Sequence, residues 1–264
     1  MKYLLNMSKI KLIATDLDGT LLRSDKTISA YTASVLEKCQ KQGIKLVFAT
    51  GRGQTAAILT QGIDFDGKIT MNGAVGKIGD EVVYSRLIPS EILRPILVNL
   101  DKMGINVATQ VGGIDYSNFV ASDFWPWVTS FKITDFTKHS LDAEKVYCPK
   151  TTPEQRAYIE KMLPENLYTV VTADTTGPFL QIMHKEASKS KAIAALADVW
   201  GISFDEIVAF GDDLNDVDML LYAGIGVAMG GALDEVKAVA NQICKENDDD
   251  GVACWIEENI YEAS

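Results

Sequence analysis

Short apolar runs alternate with amphipathic segments over much of the chain. The first, Ile10–Thr15, is mainly apolar and has the length of a buried strand. An amphipathic helix is predicted over Ser29–Gln42, where Gly43 ends it, and strands are predicted over Lys45–Ala49 and Lys68–Met71. Strands and helices that alternate in this way predict a parallel sheet with helices on both faces.

This alternation is interrupted in the middle of the chain. Two short strands on either side of Gly79 and Asp80 predict a β-hairpin, and an irregular series of strands and helices follows it. Parallel α/β order resumes with a helix over Ser188–Trp200. We therefore predict a doubly wound, Rossmann-like α/β core of residues 1–85 and 186–264, with an α+β domain of residues 86–185 inserted into it.

The second half of the core continues the same pattern. The predicted strands are Glu206–Phe210 and Ile225–Ala228, and the predicted helices are Leu214–Tyr222, Leu233–Ala240 and Gly251–Asn259. A short acidic loop, Glu246–Asp250, precedes the last helix.

Composition narrows the classes of partner. The chain has 264 residues, of which 47% are hydrophobic and 23% charged, as in ordinary soluble globular proteins. A net charge of −11 with scattered basic residues argues against nucleic acid or an acidic membrane surface as a partner. The apolar runs are too short for a signal peptide or a membrane span, and the four cysteines lack metal-site spacing. We expect a cytoplasmic protein with reduced thiols, either a monomer or a weak homodimer.

Charged and polar residues follow the predicted core strands. Ligands of an open parallel sheet bind outside the carboxyl ends of its strands, so residues at these ends are expected to lie together. Four groups occupy such places: Asp16 and Asp18, Thr50 to Arg52, Lys189 at the start of a helix, and Gly211 to Asp216.

The acids in these groups are suited to phosphoryl transfer. Asp16 and Asp212 can share Mg²⁺, a hard ion that favours carboxylate oxygens and neutralises a phosphoryl oxygen. An ordinary aspartate pKa of about 3.9 leaves Asp16 ionised at neutral pH, so its carboxylate can attack phosphorus and form an aspartyl-phosphate. Asp18 can protonate the leaving oxygen and then deprotonate the attacking water. We expect neighbouring acids to raise its pKa for that role.

The remaining groups can hold the substrate and the ion. The Thr50 hydroxyl and the Gly51 amide can bind phosphoryl oxygens, and Lys189 can link nucleophile and phosphate. Asn215 and Asp216 can orient the water around the ion.

Asn72 follows a strand that faces the same site. A plain turn is the simpler explanation of Asn72, and a substrate contact is the weaker alternative.

Together these motifs resemble those of the haloacid dehalogenase-like hydrolases, of the Cof-type subfamily. The matching segments are DLDGTLL at 16–22, TGR at 50–52, Lys189 within ASKSKA, and GDDLND at 211–216. The stretches GVAMGGA at 226–232 and NDDDGVACWI at 247–256 also resemble the subfamily. The inserted domain is similar to the family cap in position and length.

The resemblance implies a Mg²⁺-dependent phosphatase acting on a small phosphorylated metabolite, with the insertion as a cap that closes over the site. It implies that Asp16 is the nucleophile, that Asp18 is the acid/base whose backbone carbonyl also binds the ion, and that Asp212 is a metal ligand. It makes Thr50, Lys189 and Asn215 phosphate or substrate contacts. We also expect Gly51 and Arg52 to bind phosphate or substrate. Lys191 lies two positions after Lys189, and the choice between them follows from the motif alignment.

Two alternatives use the same residues. A phosphomutase would form the same aspartyl-phosphate and return the phosphoryl group to its substrate. A receiver-like signalling module would keep the phosphoryl group on aspartate without turnover. The length of the chain, its insertion and the acid at Asp18 argue against the signalling module.

Overall fold

The fold was analysed in a computed structural model that describes residues 10–53, 55–60, 62–125, 128, 130–174 and 177–261. The chain forms two compact units. The core unit comprises Met1–Ser85 and Ser188–Ser264, and the inserted unit comprises Arg86–Ala187.

The regular elements of the described chain alternate as α/β proteins do. The strands are β1 (Leu12–Thr15), β2 (Lys45–Ala49), β3 (Gly67–Thr70), β4 (Val75–Ile78), β5 (Glu81–Ser85), β6 (Ala108–Val111), β7 (Ile114–Ser117), β8 (Phe131–Ile133), β9 (Lys145–Pro149), β10 (Leu167–Asp174), β11 (Gly177–His184), β12 (Ile207–Gly211), β13 (Ile225–Ala228) and β14 (Gln242–Ile243). The α-helices are α1 (Ala30–Lys41), α2 (Thr55–Leu59), α3 (Ser90–Lys102), α4 (Ala121–Phe124), α5 (Pro153–Met162), α6 (Lys189–Trp200), α7 (Val217–Tyr222), α8 (Asp234–Val239) and α9 (Gly251–Ile256).

Short helical turns complete the element list. They are 3₁₀ turns at Met71–Gly73, Phe204–Glu206, Leu214–Asp216 and Asn247–Asp249, and a π-helical turn at Glu257–Tyr261.

Within the described residues, the core unit has one sheet of eight strands in the order β14-β13-β12-β1-β2-β3-β4-β5. Neighbouring strands from β14 to β3 are parallel, and β4 and β5 add an antiparallel hairpin. Every residue of β1, β12 and β13 is buried, which requires cover on both faces of the sheet. Helix α1 packs beside α9, and α6 and α8 pack beside α7. The predicted doubly wound parallel sheet is confirmed.

The centre of this sheet is where chain order reverses. Leu12 of β1 pairs with Ile207 of β12 on one side and with Lys45 of β2 on the other. The carboxyl ends of these three strands are therefore neighbours, at the kind of switch point where α/β proteins bind ligands.

The inserted unit has an α+β structure of its own. Its described strands form a sheet in the order β10-β11-β9-β6-β7-β8. Apolar side chains of α3 and α5, such as Leu97 and Ile159, form one buried cluster with strand residues such as Val146 and Ile182. This unit thus has a hydrophobic core separate from that of the sheet described above.

Several predicted elements differ in detail from the structure. The helix predicted over Leu214–Tyr222 begins as a 3₁₀ turn, Leu214–Asp216, and becomes α-helical only from Val217. The tighter start lets the Asp216 side chain accept hydrogen bonds from backbone amides that precede the helix. Strands β8 and β14 have three and two residues and were not predicted, because such short segments carry no alternating pattern.

In the part of the chain that the structure describes, no helix combines the length and the hydrophobicity that a membrane crossing demands.

Candidate active site

Asp16 lies immediately after β1, and its side chain is almost fully buried. Its amide donates to the carbonyl of Phe210 at 3.0 Å, so the ends of β1 and β12 stay in register there. Its Oδ1 accepts a hydrogen bond from Lys189 Nζ at 2.6 Å. The strand end thus presents a carboxylate directly to a buried ammonium.

Lys189 is the first residue of α6, a helix whose N-cap is Ser188. The Lys189 side chain has no exposed surface, and its Nζ also lies 2.5 Å from Asp216 Oδ1. Lys191 is exposed. Lys189 is therefore the lysine that contacts the carboxylates, and its role in binding phosphate stays a prediction.

Asp216 is held from both sides. While Oδ1 contacts Lys189, its Oδ2 accepts hydrogen bonds from the amides of Asp212 at 2.9 Å and Asp213 at 3.1 Å. This side chain therefore fixes the loop that carries Asp212.

Three acids meet in this place. One carboxylate oxygen from each of Asp16, Asp212 and Asp216 lies within 4.8 Å of the others. We call these residues the carboxylate cluster. The sequence predicts that Asp16 and Asp212 share an ion and that Asp216 lies behind them, whereas the structure brings all three acids together.

The pKa values of the cluster reflect burial first and neighbouring negative charge second. Burial raises the pKa of Asp16 to about 8. The charge of Lys189 offsets only part of this rise, and repulsion from Asp216 adds to it. Burial also raises the pKa of Asp212 to about 6, against a hydrogen bond from Thr20 that lowers it. The expectation that Asp16 has an ordinary aspartate pKa is therefore wrong for the ion-free protein, because its carboxylate is desolvated beside other acids.

The donor set suits a hard divalent cation. One buried ammonium faces three carboxylates in the cluster, so the negative charge exceeds the positive charge. Carboxylate oxygens are the ligands that Mg²⁺ prefers, and a second cation would relieve the repulsion that raises these pKa values. The residues present thus fit the ion that the sequence analysis inferred.

Asp18 faces other partners. Its Oδ2 accepts from Arg52 Nε at 2.5 Å, and its Oδ1 accepts from Arg52 Nη2 at 2.7 Å and from Lys26 Nζ at 2.8 Å. Burial acts to raise the pKa of Asp18, but the hydrogen bonds from Arg52 and Lys26 outweigh it and lower the pKa. The expected raised pKa is wrong, because two cations and not acids surround this carboxylate.

The loop of residues 50–52, which we call the Thr50 loop, is anchored next to β3. Its Thr50 amide donates to the carbonyl of Ile69 at 3.0 Å, and the Thr50 hydroxyl accepts from the Arg52 amide at 3.2 Å. The Asn72 amide donates to the Thr50 carbonyl at 2.9 Å. Asn215 Nδ2 donates to Asn72 Oδ1 at 3.0 Å, so these two predicted substrate contacts touch each other.

Gly19 lets the chain after β1 approach Asp212, and Gly73 lets the chain after β3 approach the start of α6. Gly19 has φ +78°, and a Cβ there would lie 2.3 Å from Asp212 Oδ2. Gly73 has φ +91°, and a Cβ there would lie 2.2 Å from the Ser188 carbonyl. Gly51 is also tightly packed, since its Cβ would lie 2.9 Å from Asn72 Oδ1. Only a residue without a side chain fits the first two places.

Two side chains in the site were missed. The Thr20 hydroxyl donates to Asp212 Oδ1 at 2.7 Å, and Lys26 contacts Asp18 as described above. Thr20 lies within the DLDGTLL segment, which could have drawn attention to it. Lys26 lies in a turn whose geometry gives no sequence signal.

Comparisons with known proteins show the family to which the chain belongs. A family model described as haloacid dehalogenase-like hydrolase matches residues 13–256. The chain is 27% identical over 270 residues to the 5-amino-6-(5-phospho-D-ribitylamino)uracil phosphatase YitU of Bacillus subtilis, covering 95% of this chain and 98% of the relative.

Two solved structures are similar along nearly the whole chain. BT1666 from Bacteroides thetaiotaomicron, a phosphatase of the haloalkanoate (HAD) superfamily, superposes with a TM-score of 0.82 at 25% identity, covering 96% of each chain. The HAD subclass IIB sugar phosphatase BT4131 superposes with a TM-score of 0.74 at 26% identity, covering 94% of this chain and 98% of that one.

We predict that Gly19→Ala destabilises the protein more than Gly43→Ala. Both glycines have positive φ, but a Cβ at Gly43 meets nothing within 4 Å. The control substitution should cost about 1 kcal/mol through backbone strain, and Gly19→Ala about 1–3 kcal/mol more through the clash with Asp212. Urea denaturation measures both, and equal losses would contradict the packing described for Gly19.

We also predict that Lys189→Met lowers the free energy of unfolding by about 3–5 kcal/mol, because it leaves buried carboxylates without their ammonium. Lys191→Met, at an exposed position of the same helix, should change it by less than about 0.5 kcal/mol. Chemical denaturation of the two variants in parallel checks this, and similar stabilities would show that the buried ion pairs matter little.

Proposed function

The chain belongs to the haloacid dehalogenase-like hydrolase family and is a phosphatase, and we propose that it uses Mg²⁺ and an aspartyl-phosphate on Asp16 to hydrolyse small phosphorylated metabolites. One observation carries the proposed mechanism. The carboxylate of Asp16 belongs to the carboxylate cluster and also accepts a hydrogen bond from the fully buried Lys189. An acid in that position is oriented and electrostatically supported as a nucleophile.

In the first step, the Asp16 carboxylate attacks phosphorus. A new O–P bond forms, the ester O–P bond breaks, and the leaving oxygen takes a proton from Asp18. The pairing of Asp18 with Arg52 and Lys26 disfavours its protonated form, so this donation requires the carboxyl group to turn away from those cations. The Thr50 hydroxyl and Lys189 are proposed to hold the phosphoryl oxygens.

In the second step, water attacks phosphorus and Asp18 accepts its proton. The O–P bond to Asp16 breaks, inorganic phosphate leaves, and the carboxylate is regenerated. Because Arg52 and Lys26 favour the ionised form of Asp18, the side chain is ready as the base for this step.

Asp16 and Asp212 would hold Mg²⁺, with the Asp18 carbonyl proposed as a further ligand. Asp216, whose oxygens accept hydrogen bonds from Lys189 and from two backbone amides, would support these ligands. When bound, the ion supplies positive charge that neutralises a phosphoryl oxygen and the excess charge of the acids.

The names of two similar proteins support the proposed substrate class. The relative YitU is named for a phosphorylated ribityl compound, and BT4131 is named as a sugar phosphatase. We propose a sugar phosphate or a similar small phosphorylated metabolite as substrate, with the inserted unit acting as the cap that selects it. The cysteines of the described chain are unpaired, which supports a cytoplasmic location.

We predict that Asp16→Asn folds normally and loses activity by about 10⁴-fold or more, because an amide cannot accept the phosphoryl group. Phosphate release from a panel of small phosphate esters, with circular dichroism as the check on folding, measures this. Asp213→Asn, an exposed acid that also caps the helix through its side chain, is the matched control and should keep activity.

Near-normal turnover by Asp16→Asn would refute the nucleophile. Isomerised substrate without inorganic phosphate would instead identify a phosphomutase.

We predict that Mg²⁺ binding releases a proton below about pH 8. In the ion-free protein the raised pKa of Asp16, about 8, keeps a proton on the carboxylate that the ion must displace. Apparent affinity should therefore rise with pH up to about 8 and level off above it. Isothermal titration calorimetry in buffers of different ionisation enthalpy measures both effects. At pH 6 we expect the release of about one to two protons, because Asp212, with a pKa of about 6, is then also partly protonated. Equal affinity at pH 6 and pH 8 with no proton release would contradict the assignment.

A further inference from the structure

Asp218 contacts the start of α6 from the neighbouring helix α7. Its Oδ2 accepts a hydrogen bond from the Ser188 hydroxyl, and it also accepts from the Ser190 amide at 3.2 Å and from the Ser190 hydroxyl at 3.0 Å. Ser188 and Ser190 are the residues on either side of Lys189. One carboxylate oxygen therefore binds the chain both before and after this lysine.

These hydrogen bonds complete the N-terminus of α6. Ser188 is the N-cap, and its hydroxyl oxygen accepts from the Lys191 amide at 3.3 Å. A hydroxyl accepts and donates at the same time, so the Ser188 hydroxyl is free to donate to Asp218 as well. The Ser190 amide belongs to the first helical turn, whose amides have no partner within the helix. A carboxylate is favoured at this end of a helix, because the helix dipole is positive there.

The tip of the Lys189 side chain is held by the same short segment that carries Asp218. Lys189 Nζ lies 2.6 Å from Asp16 Oδ1 and 2.5 Å from Asp216 Oδ1. Asp216 ends the 3₁₀ turn that leads into α7, two residues before Asp218. Asp216 thus contacts the tip of Lys189, while Asp218 fixes the backbone from which the side chain starts.

Gly73 packs against the same stretch of backbone. A Cβ at Gly73 would lie 2.2 Å from the Ser188 carbonyl oxygen and 2.7 Å from the Lys189 amide nitrogen. The backbone of Lys189 is therefore packed against Gly73 and hydrogen-bonded, through its two neighbours, to Asp218. Lysine carries its charge on a flexible four-carbon stem, so a defined ammonium position requires a fixed backbone as well as partners for the tip.

We propose that Asp218 is a positioning residue for Lys189 and acts through Ser188 and Ser190. The inference rests on the proposed function, since it assigns Asp218 an effect on the ammonium that supports Asp16 and the phosphoryl group. A preorganised charge stabilises a transition state when it already lies at hydrogen-bond distance from the charge that develops. A displacement of about 1 Å can lower a rate about 100-fold. Asp218 sets the place of the Lys189 ammonium and takes no part in making or breaking bonds.

The first test compares two substitutions of Asp218 on the phosphate ester that the wild type hydrolyses fastest. Asp218→Ala removes all three hydrogen bonds, and we expect it to lower kcat about 10- to 100-fold. Asp218→Asn keeps an oxygen of the same shape that accepts from Ser190, so its kcat should stay within about fivefold of the wild type. Wild-type kcat in a folded Asp218→Ala variant, or equal losses in the two variants, would overturn the inference.

Asp198, an exposed acid of the same helix, provides the matched control. Asp198→Ala should leave kcat as in the wild type. A loss as large as that of Asp218→Ala would show that kcat follows the general stability of α6, and the inference would be wrong.

Ser190→Ala is the milder variant and is expected to fold. It removes one donor to Asp218, and by itself it should lower kcat about two- to fivefold. Combined with Asp218→Ala or Asp218→Asn it should lower kcat by a smaller factor, because the partner of the hydroxyl is already altered. Unchanged kcat in Ser190→Ala, or losses that multiply in full, would contradict a role of Asp218 through Ser190.

The position of Lys189 is measured without turnover. In NMR spectra of protein labelled with ¹⁵N at its lysine ammonium groups, the Lys189 signal is the one that Lys189→Arg removes. A buried ammonium between two carboxylates exchanges its protons with water only when the structure opens locally. We expect Asp218→Ala to shift this signal and speed its exchange, and Ser190→Ala to do so less. Asp198→Ala should leave it unchanged. An unchanged Lys189 signal in Asp218→Ala would overturn the inference.

Asp16→Asn separates the two proposals. If that variant loses turnover while Asp218→Ala keeps the kcat and the Lys189 signal of the wild type, only the inference about Asp218 is wrong. If Asp16→Asn remains active, the proposed mechanism fails and the inference fails with it, because the place of Lys189 then has no bearing on turnover.

Discussion

The site depends on one electrostatic constraint. The buried ammonium of Lys189 balances only part of the negative charge that surrounds it. Lys189 has no exposed side-chain surface, and it contacts both Asp16 and Asp216. Asp212 completes a carboxylate cluster with more negative than positive charge. Such an arrangement is costly unless a further cation joins it, and the raised pKa values of Asp16 and Asp212 express that cost. We propose that this excess of negative charge favours binding of a divalent cation together with a phosphoryl group.

The fold creates this arrangement by bringing distant segments to one edge of a sheet. β1 lies between β12 and β2, so Asp16, the Asp212 loop and the Thr50 loop leave neighbouring strands. Gly19 admits the Asp212 carboxylate, and Gly73 admits the start of α6 with Lys189. The site therefore requires backbone features as specific as its charged side chains.

Much of this could be predicted from the chain alone. Apolar runs followed by acids identified β1 and β12, and the parallel order of the core placed Asp16 near Asp212. The motif alignment favoured Lys189 over Lys191, and in the structure Lys189 contacts Asp16 whereas Lys191 is exposed. These features are local in sequence, or they follow from the general rule that ligands bind at the carboxyl ends of parallel strands.

The surroundings of Asp18 could not be predicted in the same way. Its contact with Lys26 depends on a left-handed residue, and the turn around it is fixed by Arg23 and Asp250, which lie 227 positions apart in the sequence. The direction of a pKa shift depends on such contacts, so the expected rise for Asp18 was wrong. Burial of Asp16 beside other acids likewise needs the folded chain, because composition gives no distance between charges.

The central claim is that Asp16 receives the phosphoryl group beside an ion held by the carboxylate cluster. A crystal structure of the protein with Mg²⁺ and beryllium trifluoride, a mimic of a phosphoryl group, tests it most directly. The account predicts beryllium bonded to a carboxylate oxygen of Asp16, with Lys189 beside it and Mg²⁺ on the carboxylates of Asp16 and Asp212. Beryllium on Asp18, or Mg²⁺ bound away from Asp16 and Asp212, would contradict it.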